Sequence, residues 1–241
     1  MKVELLEMTA NPEEIIYSAA RQCYSEKDAY GIFIEANNIK KDKIRKFINE
    51  IVKSGHESVL EHVKFTFAIS GVSRALTHQL VRHRIASYSQ QSQRYVNMKN
   101  FNYIIPPSIK NDRSLLEIYQ SILNEIKEAY KKLIERFKEL GVEGEMANQD
   151  ARYILPNATE TKIVVTMNCR ELLNFFRVRC CSRAQWEIRA LAYEMLKICK
   201  ENLPSVFEKS GPKCEYLGYC PEGEKFSCGK YPLKNEVIKN D

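Results

Sequence analysis

The sequence predicts an α+β fold in which a mixed sheet is backed by long helices. Val63, Phe65, Phe67 and Ile69 alternate with small or polar residues, and Thr161 to Met167 alternates again, the period of half-buried strands. Ile44, Phe47, Ile48, Ile51 and Val52 recur at helical spacing, as do Leu115, Ile118, Ile122, Ile126, Leu133 and Phe137 between Asp112 and Leu140. These strand and helix patterns are interleaved, without repeats or a clear interdomain linker.

The remaining elements follow in order. Lys2 to Met8 reads as a short strand. Asn11-Pro12-Glu13-Glu14 supplies a cap, a proline at the first helical position and an acidic first turn. Gly55 closes the helix that carries Ile44. Ser73 is placed to cap a helix carrying Leu76, Leu80 and Val81, with Arg82, His83 and Arg84 in its last turn. The long helix points Leu115, Ile118, Ile122, Ile126, Leu133 and Phe137 inward and ends at Gly141. Asn168 caps a helix running through Val178, and a last helix spans about Ser182 to Asn202 before Pro204. Trp186 shares its apolar face with Leu191 and Met195.

A chain of 241 residues can build one good core with an appendage. The N-terminus turns polar by Thr9, unlike a secretory leader, and no apolar run approaches a membrane span, so a cytoplasmic protein without membrane contact is expected. The net charge of +6 is spread along the chain rather than gathered in a block, which argues against a nucleic-acid arm and suits anionic small molecules.

Residues 82 to 95 concentrate the chemistry. Arg82, His83, Arg84, Ser87, Ser89, Gln90, Gln91, Ser92, Gln93 and Arg94 combine planar guanidinium forks, an imidazole, hydroxyls and amides, the inventory of a loop that wraps a phosphorylated heterocycle. Cations complementing a helix dipole would need only the first three. The absences narrow the choice. Nine scattered glycines form neither a dinucleotide-binding fingerprint nor a P-loop. The His56 to His62 block has Leu60 where a zincin needs histidine. Ser92 has no histidine and carboxylate signalled beside it, which disfavours a serine nucleophile. None of the eight cysteines follows a proline.

The spacing Arg82-His83-Arg84, Ser87, Ser89, Ser92, Arg94 resembles the signature of the flavin-dependent thymidylate synthases, the ThyX family: Arg-His-Arg, any two, Ser, any, Asn or Ser, any two, Ser, any, Arg. Gly55-His56-Glu57-Ser58 with Glu61-His62, Gln79, Ala151 to Pro156, Asn168-Cys169-Arg170 with Asn174, and Arg179 leading to Ala184-Gln185-Trp186-Glu187 agree with it, from about residue 50 to about 205. Ser89 stands where many members carry Asn, and Arg183 where they usually carry His.

The resemblance implies a ThyX-like fold and reductive methylation of dUMP to dTMP, with FAD reduced by NADPH, methylenetetrahydrofolate as one-carbon donor and no cysteine nucleophile. It implies dUMP contacts from Gln79, Arg82, Gln90, Gln91, Ser92, Gln93, Arg94, Arg152 and Arg179, with Arg179 stabilising charge that develops in the uracil ring. It implies FAD contacts from His56, Ser58, Glu61, Arg82, His83, Arg84, Asn168, Arg170 and Asn174. Members are homotetramers with shared active sites. The competing reading is a non-catalytic RNA- or nucleotide-binding module that grips phosphates with Arg82 to Arg94, distinguished by steep salt dependence and no flavin.

The synthase domain is expected over residues 1–210, and residues 211–241 form a cysteine-containing extension. Cys214, Cys220 and Cys228 lack the paired spacing of zinc ligands, and no metal is assigned. One disulfide with a thiol left over, a metal with a fourth ligand, and reduced thiols all remain open.

Overall fold

The structure, a computed structural model, describes residues 1–238. In chain order its strands are β1 (Lys2–Met8), β2 (Lys64–Ser73), β3 (Ala86–Gln90) and β4 (Glu160–Asn168). Its helices begin with α1 (Pro12–Gln22), α2 (Ala29–Ala36), α3 (Lys41–Ser54), α4 (Arg74–Leu80), α5 (Pro107–Lys110) and α6 (Arg113–Glu139). They continue with α7 (Gly144–Ala151), α8 (Cys169–Arg179), α9 (Trp186–Asn202), α10 (Pro204–Phe207), α11 (Lys213–Leu217) and α12 (Lys234–Ile238). The class is therefore α+β, as expected.

The strands pair in the order β1-β2-β4-β3. Neighbours run antiparallel, so the sheet is not the mixed one expected: Thr9 N–H donates to Lys64 O at 3.1 Å, Cys169 N–H to Val63 O at 2.8 Å and Arg74 N–H to Thr159 O at 3.0 Å. Gly71, at φ +67, is needed where β2 meets the chain start, because a Cβ there would lie 3.1 Å from the Met1 backbone nitrogen. Among the described residues no helix is long and apolar enough to cross a membrane.

The chain divides into two compact units. The first comprises Met1–Lys2, Ile69–Arg82 and Tyr88–Val164, and the second Val3–Ala68, His83–Ser87 and the chain from Val165 onward. In the first, Met98, Phe101, Tyr130 and Ala151 form a buried cluster, against which Ile126, Ile134, Phe137 and Ile154 pack. In the second, Phe65, Phe175, Phe176 and Phe207 are fully buried. Phe207 meets Phe65 and Phe176 edge-on, with ring centroids 5.8 and 5.9 Å apart. Each such ring contributes about 1.5–3 kcal/mol through burial.

Four details depart from the sequence reading. The α6 helix forms where expected, with Asp112 accepting from Leu115 N–H at 2.9 Å, but Leu115, Ile118, Ile122 and Leu133 face outward. The buried face is instead that of Leu123 and Tyr130, so the apolar arc is wider than the core it covers. Second, α4 ends at Leu80, and Arg82, His83 and Arg84 lie beyond it rather than in its last turn. Third, Ala86–Gln90 is a strand and not a wrapping loop, its side chains alternating between exposed and half-buried although nearly all are polar. Fourth, α9 starts at Trp186 because Gln185 caps it, accepting from Glu187 and Ile188 N–H at 3.0 and 3.2 Å. Asn11 does precede α1, but it serves by adopting a left-handed backbone at φ 50 and not by a side-chain cap.

Candidate functional site

In the second unit the polar residues gather on and around α8. Asn168 starts that helix, its Oδ1 accepting from Glu171 N–H at 2.9 Å. The Glu171 side chain does not turn back to close a capping box; it reaches His83, with Oε1 3.0 Å from Nδ1. Both side chains are buried, at 8% and 7% exposure. On the other edge of the ring, the Nε–H of Arg179 donates to His83 Nε2 at 3.1 Å. A guanidinium has no acceptor to offer, so Nε2 must be the accepting nitrogen and Nδ1 carries the proton that Glu171 receives. His83 is therefore the neutral Nδ1–H tautomer, seated edge-on against Phe175 with ring centroids 4.9 Å apart.

The electrostatics agree with that tautomer. Burial lowers the His83 pKa below its ordinary value, the bond to Glu171 opposes this, and the charge of Arg179 reinforces it. Burial likewise lowers the pKa of Arg179. The result is a line from Asn174, whose amide lies 3.4 Å from both Glu171 carboxylate oxygens, through Glu171 and His83 to the guanidinium of Arg179. Glu171 went unnoticed in the sequence. Its signal was an acidic residue three positions after a capping Asn, a pattern usually satisfied within the helix.

A 3-10 turn, Glu57–His62, is fastened to the same helix. Glu61 ion-pairs with Arg170, and Glu57 with Arg177. This places Ser58 and Glu61 beside α8, with His56 directly before the turn, all three exposed. Arg84 is exposed as well, as are Arg170 and Asn174. Of the nine residues expected at the flavin, eight thus belong to this unit, and Arg82 belongs to the other.

The first unit holds the residues expected to bind nucleotide, except Arg179. Gln90 donates both amide hydrogens within the fold, to Thr77 Oγ1 at 3.0 Å and Thr161 Oγ1 at 3.2 Å, which pins the end of β3 to α4 and β4. Gln91 continues the pairing through its N–H to Lys162 O at 2.9 Å. Ser92 Oγ accepts from Arg94 N–H at 3.2 Å and so shapes the turn, while Gln93 is half-buried within it. Arg94 ion-pairs with Glu145, and its carbonyl accepts from Asn148 at 3.0 Å. The Nε of Arg94 is buried without a hydrogen-bond partner among the described residues. Gln79 lies half-buried on α4, and Arg82 is exposed just past its end.

Arg152 donates through Nε to Gln149 O at 3.2 Å. Its charge also acts on Arg74: burial first, and then the Arg152 charge, lower the Arg74 pKa. Two guanidiniums within electrostatic reach of each other are costly in isolation and suit an anion between them. Arg74 was missed in the sequence because it reads there as an ordinary first residue of a helix.

Residues 4–205 match the family model described as thymidylate synthase complementing protein. A flavin-dependent thymidylate synthase of Nitratidesulfovibrio vulgaris is 50% identical over 238 residues, covering 98% of this chain and 97% of that protein. The one of Clostridium tetani is 51% identical over 238 residues, covering 95% and 94%. The one of Pyrococcus abyssi is 45% identical over 244 residues, covering 98% and 96%.

Proposed function

This chain belongs to the family of thymidylate synthase complementing proteins, and we propose that it converts dUMP to dTMP by reductive methylation, taking the one-carbon unit from methylenetetrahydrofolate and using FAD reduced by NADPH. The observation that carries this reading is the Arg179–His83–Glu171 line, set in a chain half identical to a flavin-dependent thymidylate synthase along nearly its whole length. A neutral imidazole that accepts from Arg179 fixes the guanidinium without competing for its charge, leaving its remaining N–H groups to a uracil carbonyl. Donors already in place stabilise negative charge appearing in the ring, by about 2.7–4 kcal/mol per donor in comparable sites.

The donor set fits an anionic dinucleotide. Arg82, His83, Arg84, Arg170, Asn168 and Asn174 would hold the flavin, with His56, Ser58 and Glu61 bordering it, and the exposed guanidiniums of Arg82 and Arg84 would face phosphates. The flavin, when bound, supplies the reducing electrons. Gln79, Arg82, Gln91, Ser92, Gln93, Arg94 and Arg152 would hold dUMP. The unpartnered Nε of Arg94 and the pair Arg74 and Arg152 both favour a phosphate in that unit. Gln90 serves by bracing the strand end, since its amide hydrogens are engaged. Buried thiols support chemistry without a cysteine nucleophile: burial pushes the Cys180 pKa up to about 12, and raises those of Cys169 and Cys199.

The same reading includes a ThyX-like fold, a cytoplasmic homotetramer with shared active sites, and a synthase domain over residues 1–210 followed by the extension. The outward stripe of Leu115, Ile118, Ile122 and Leu133 favours assembly, because it leaves apolar surface for a second copy to cover. The test is formation of dTMP from dUMP, dependent on NADPH and methylenetetrahydrofolate, by protein that carries a flavin absorbance. Protein that binds flavin but yields no dTMP under those conditions would refute it.

A further inference from the structure

Five of the eight cysteines, Cys180, Cys181, Cys214, Cys220 and Cys228, line one cavity of about 330 Å³. Cys180 and Cys181 follow the end of α8, and the other three come from the chain beyond Gly211. All five are free thiols. Among the described residues no group of three or more His, Cys, Asp and Glu is placed to hold a metal ion. The cavity wall also carries Arg177, Arg189, Lys213, Lys230 and Glu222; Arg177 and Lys230 are ion-paired with Glu57 and Glu215, which leaves Arg189 and Lys213 as the wall cations without a carboxylate partner among the described residues.

The thiols are not equivalent. Cys180 and Cys220 are buried, Cys181 and Cys214 half-buried, and Cys228 is exposed. The Cys228 pKa is lowered by the backbone of Lys230, by the Ser182 hydroxyl and by the Lys230 charge. Its contact with Ser182 puts it beside the residue that follows Cys181. The two segments are already held together without a covalent bond: Arg183 stacks over the Phe226 ring at 4.3 Å and ion-pairs with Glu222.

We propose that this cavity is a thiol–disulfide exchange site for a small anionic disulfide, at which Cys228 attacks first and Cys181 closes a bridge between the two segments. The Cys228 thiolate displaces one thiolate from the incoming disulfide and forms a mixed disulfide. The Cys181 thiol then gives up its proton and displaces the second thiolate, leaving a Cys181–Cys228 bond. Two protein thiols are oxidised, and one small disulfide is reduced to two thiols. Arg189 and Lys213 on the wall favour an anionic reagent, and the Arg183 contacts tie the segment that carries Cys228 to the one that carries Cys181. A thiolate is the attacking species, which assigns the first step to the exposed member with the depressed pKa.

The experiment uses the reduced full-length chain, oxidised glutathione as probe, and mass spectrometry of the intact protein and of its thiol-blocked peptides. The expected product has lost two hydrogens and carries a Cys181–Cys228 crosslink. Cys228→Ser slows its formation by on the order of tenfold or more. Cys181→Ser stops at one glutathione on Cys228. Exposed Cys23 is the internal comparator and reacts more slowly than Cys228. A neutral reagent, hydroxyethyl disulfide, is slower by on the order of tenfold. The proposal is overturned if Cys23 reacts as fast as Cys228, if the Cys228 adduct persists in the parent protein, or if the bridge forms undiminished in Cys228→Ser. Equal rates with the two reagents overturn the anionic ligand.

Discussion

Glu171→Ala removes the carboxylate that receives the His83 Nδ1 proton at 3.0 Å and that the Asn174 amide approaches. The His83 ring is 8% exposed and sealed on one side by Phe175, so water cannot readily replace the lost acceptor. Leaving a buried donor unsatisfied costs about 1–3 kcal/mol. In a chain of this size each kcal/mol lowers the melting temperature by roughly 2–4 °C. The variant should therefore melt several degrees below the parent. Its larger effect should be on turnover, because an untethered imidazole no longer holds Arg179. Loss of one positioned donor in comparable sites lowers kcat by about 10²–10³. Glu171→Gln keeps a neutral acceptor and should fall between the two. Thermal denaturation and dTMP formation at saturating dUMP read both effects. Glu171→Ala with parental melting and parental kcat would show that the Glu171–His83 bond positions nothing.

Arg179→Ala should lower kcat/KM for dUMP by at least about 10², and Arg179→Lys should not restore it, since the three donors of an ammonium sit on one nitrogen and do not span His83 and substrate as the planar guanidinium fork does. Arg152→Ala, with Arg74 then relieved of a like charge, should raise KM for dUMP by roughly tenfold or more while sparing kcat, as removal of a charged hydrogen bond worth about 1.5–3 kcal/mol requires. The doubly substituted Arg82→Ala, Arg84→Ala protein should be purified with less bound flavin, read from its visible absorbance against protein concentration. His83 is the pH-sensitive member: its pKa is lowered on folding, so the unfolded chain binds the proton more readily. Its contribution to stability is then complete above about pH 6.5 and lost as pH falls below that value, which urea denaturation across pH checks in the parent and in His83→Phe.

The parts of the fold legible in the sequence are those where one local rule decides. Ser73, Asp112 and Asn168 each cap the helix that follows, with side-chain oxygens 2.9 to 3.0 Å from the N–H three residues on. Gly55 ends α3 at φ +77 because a residue with a Cβ is strained there. Strands β2 and β4 announce themselves because one face of each is buried apolar surface. The failures share a different cause. The outward face of α6 and the polar strand β3 depend on what lies opposite, and periodicity reports which residues share a face without saying what that face meets. The α2 helix, Ala29–Ala36, was missed because only Ile32 and Ala36 are buried, too few to set a period.

The same distinction governs the site. Residues 82 to 94 stand out in the sequence by their side-chain types, but what holds each of them in the fold does not. Gln90 and Ser92 look in sequence like ligand contacts equal to Arg94, and the folded chain also uses Gln90 to brace the strand end and Ser92 to shape a turn, while Arg94 has a buried Nε without a hydrogen-bond partner among the described residues. His83 looks like one of three cations, and burial makes it the neutral one. The two residues missed, Glu171 and Arg74, act through long-range neighbours: Glu171 meets a histidine 88 positions away, and Arg74 senses a guanidinium brought to it by the fold. Without a glycine-rich loop, binding groups must come from helix starts and strand ends, and each is then useful only when a distant partner holds it. That arrangement predicts that the most damaging substitutions away from the ligands will be at the partners, Glu171 before any of the exposed residues of the 3-10 turn. A scan in which His56→Ala and Ser58→Ala lower thermal stability more than Glu171→Ala would contradict it.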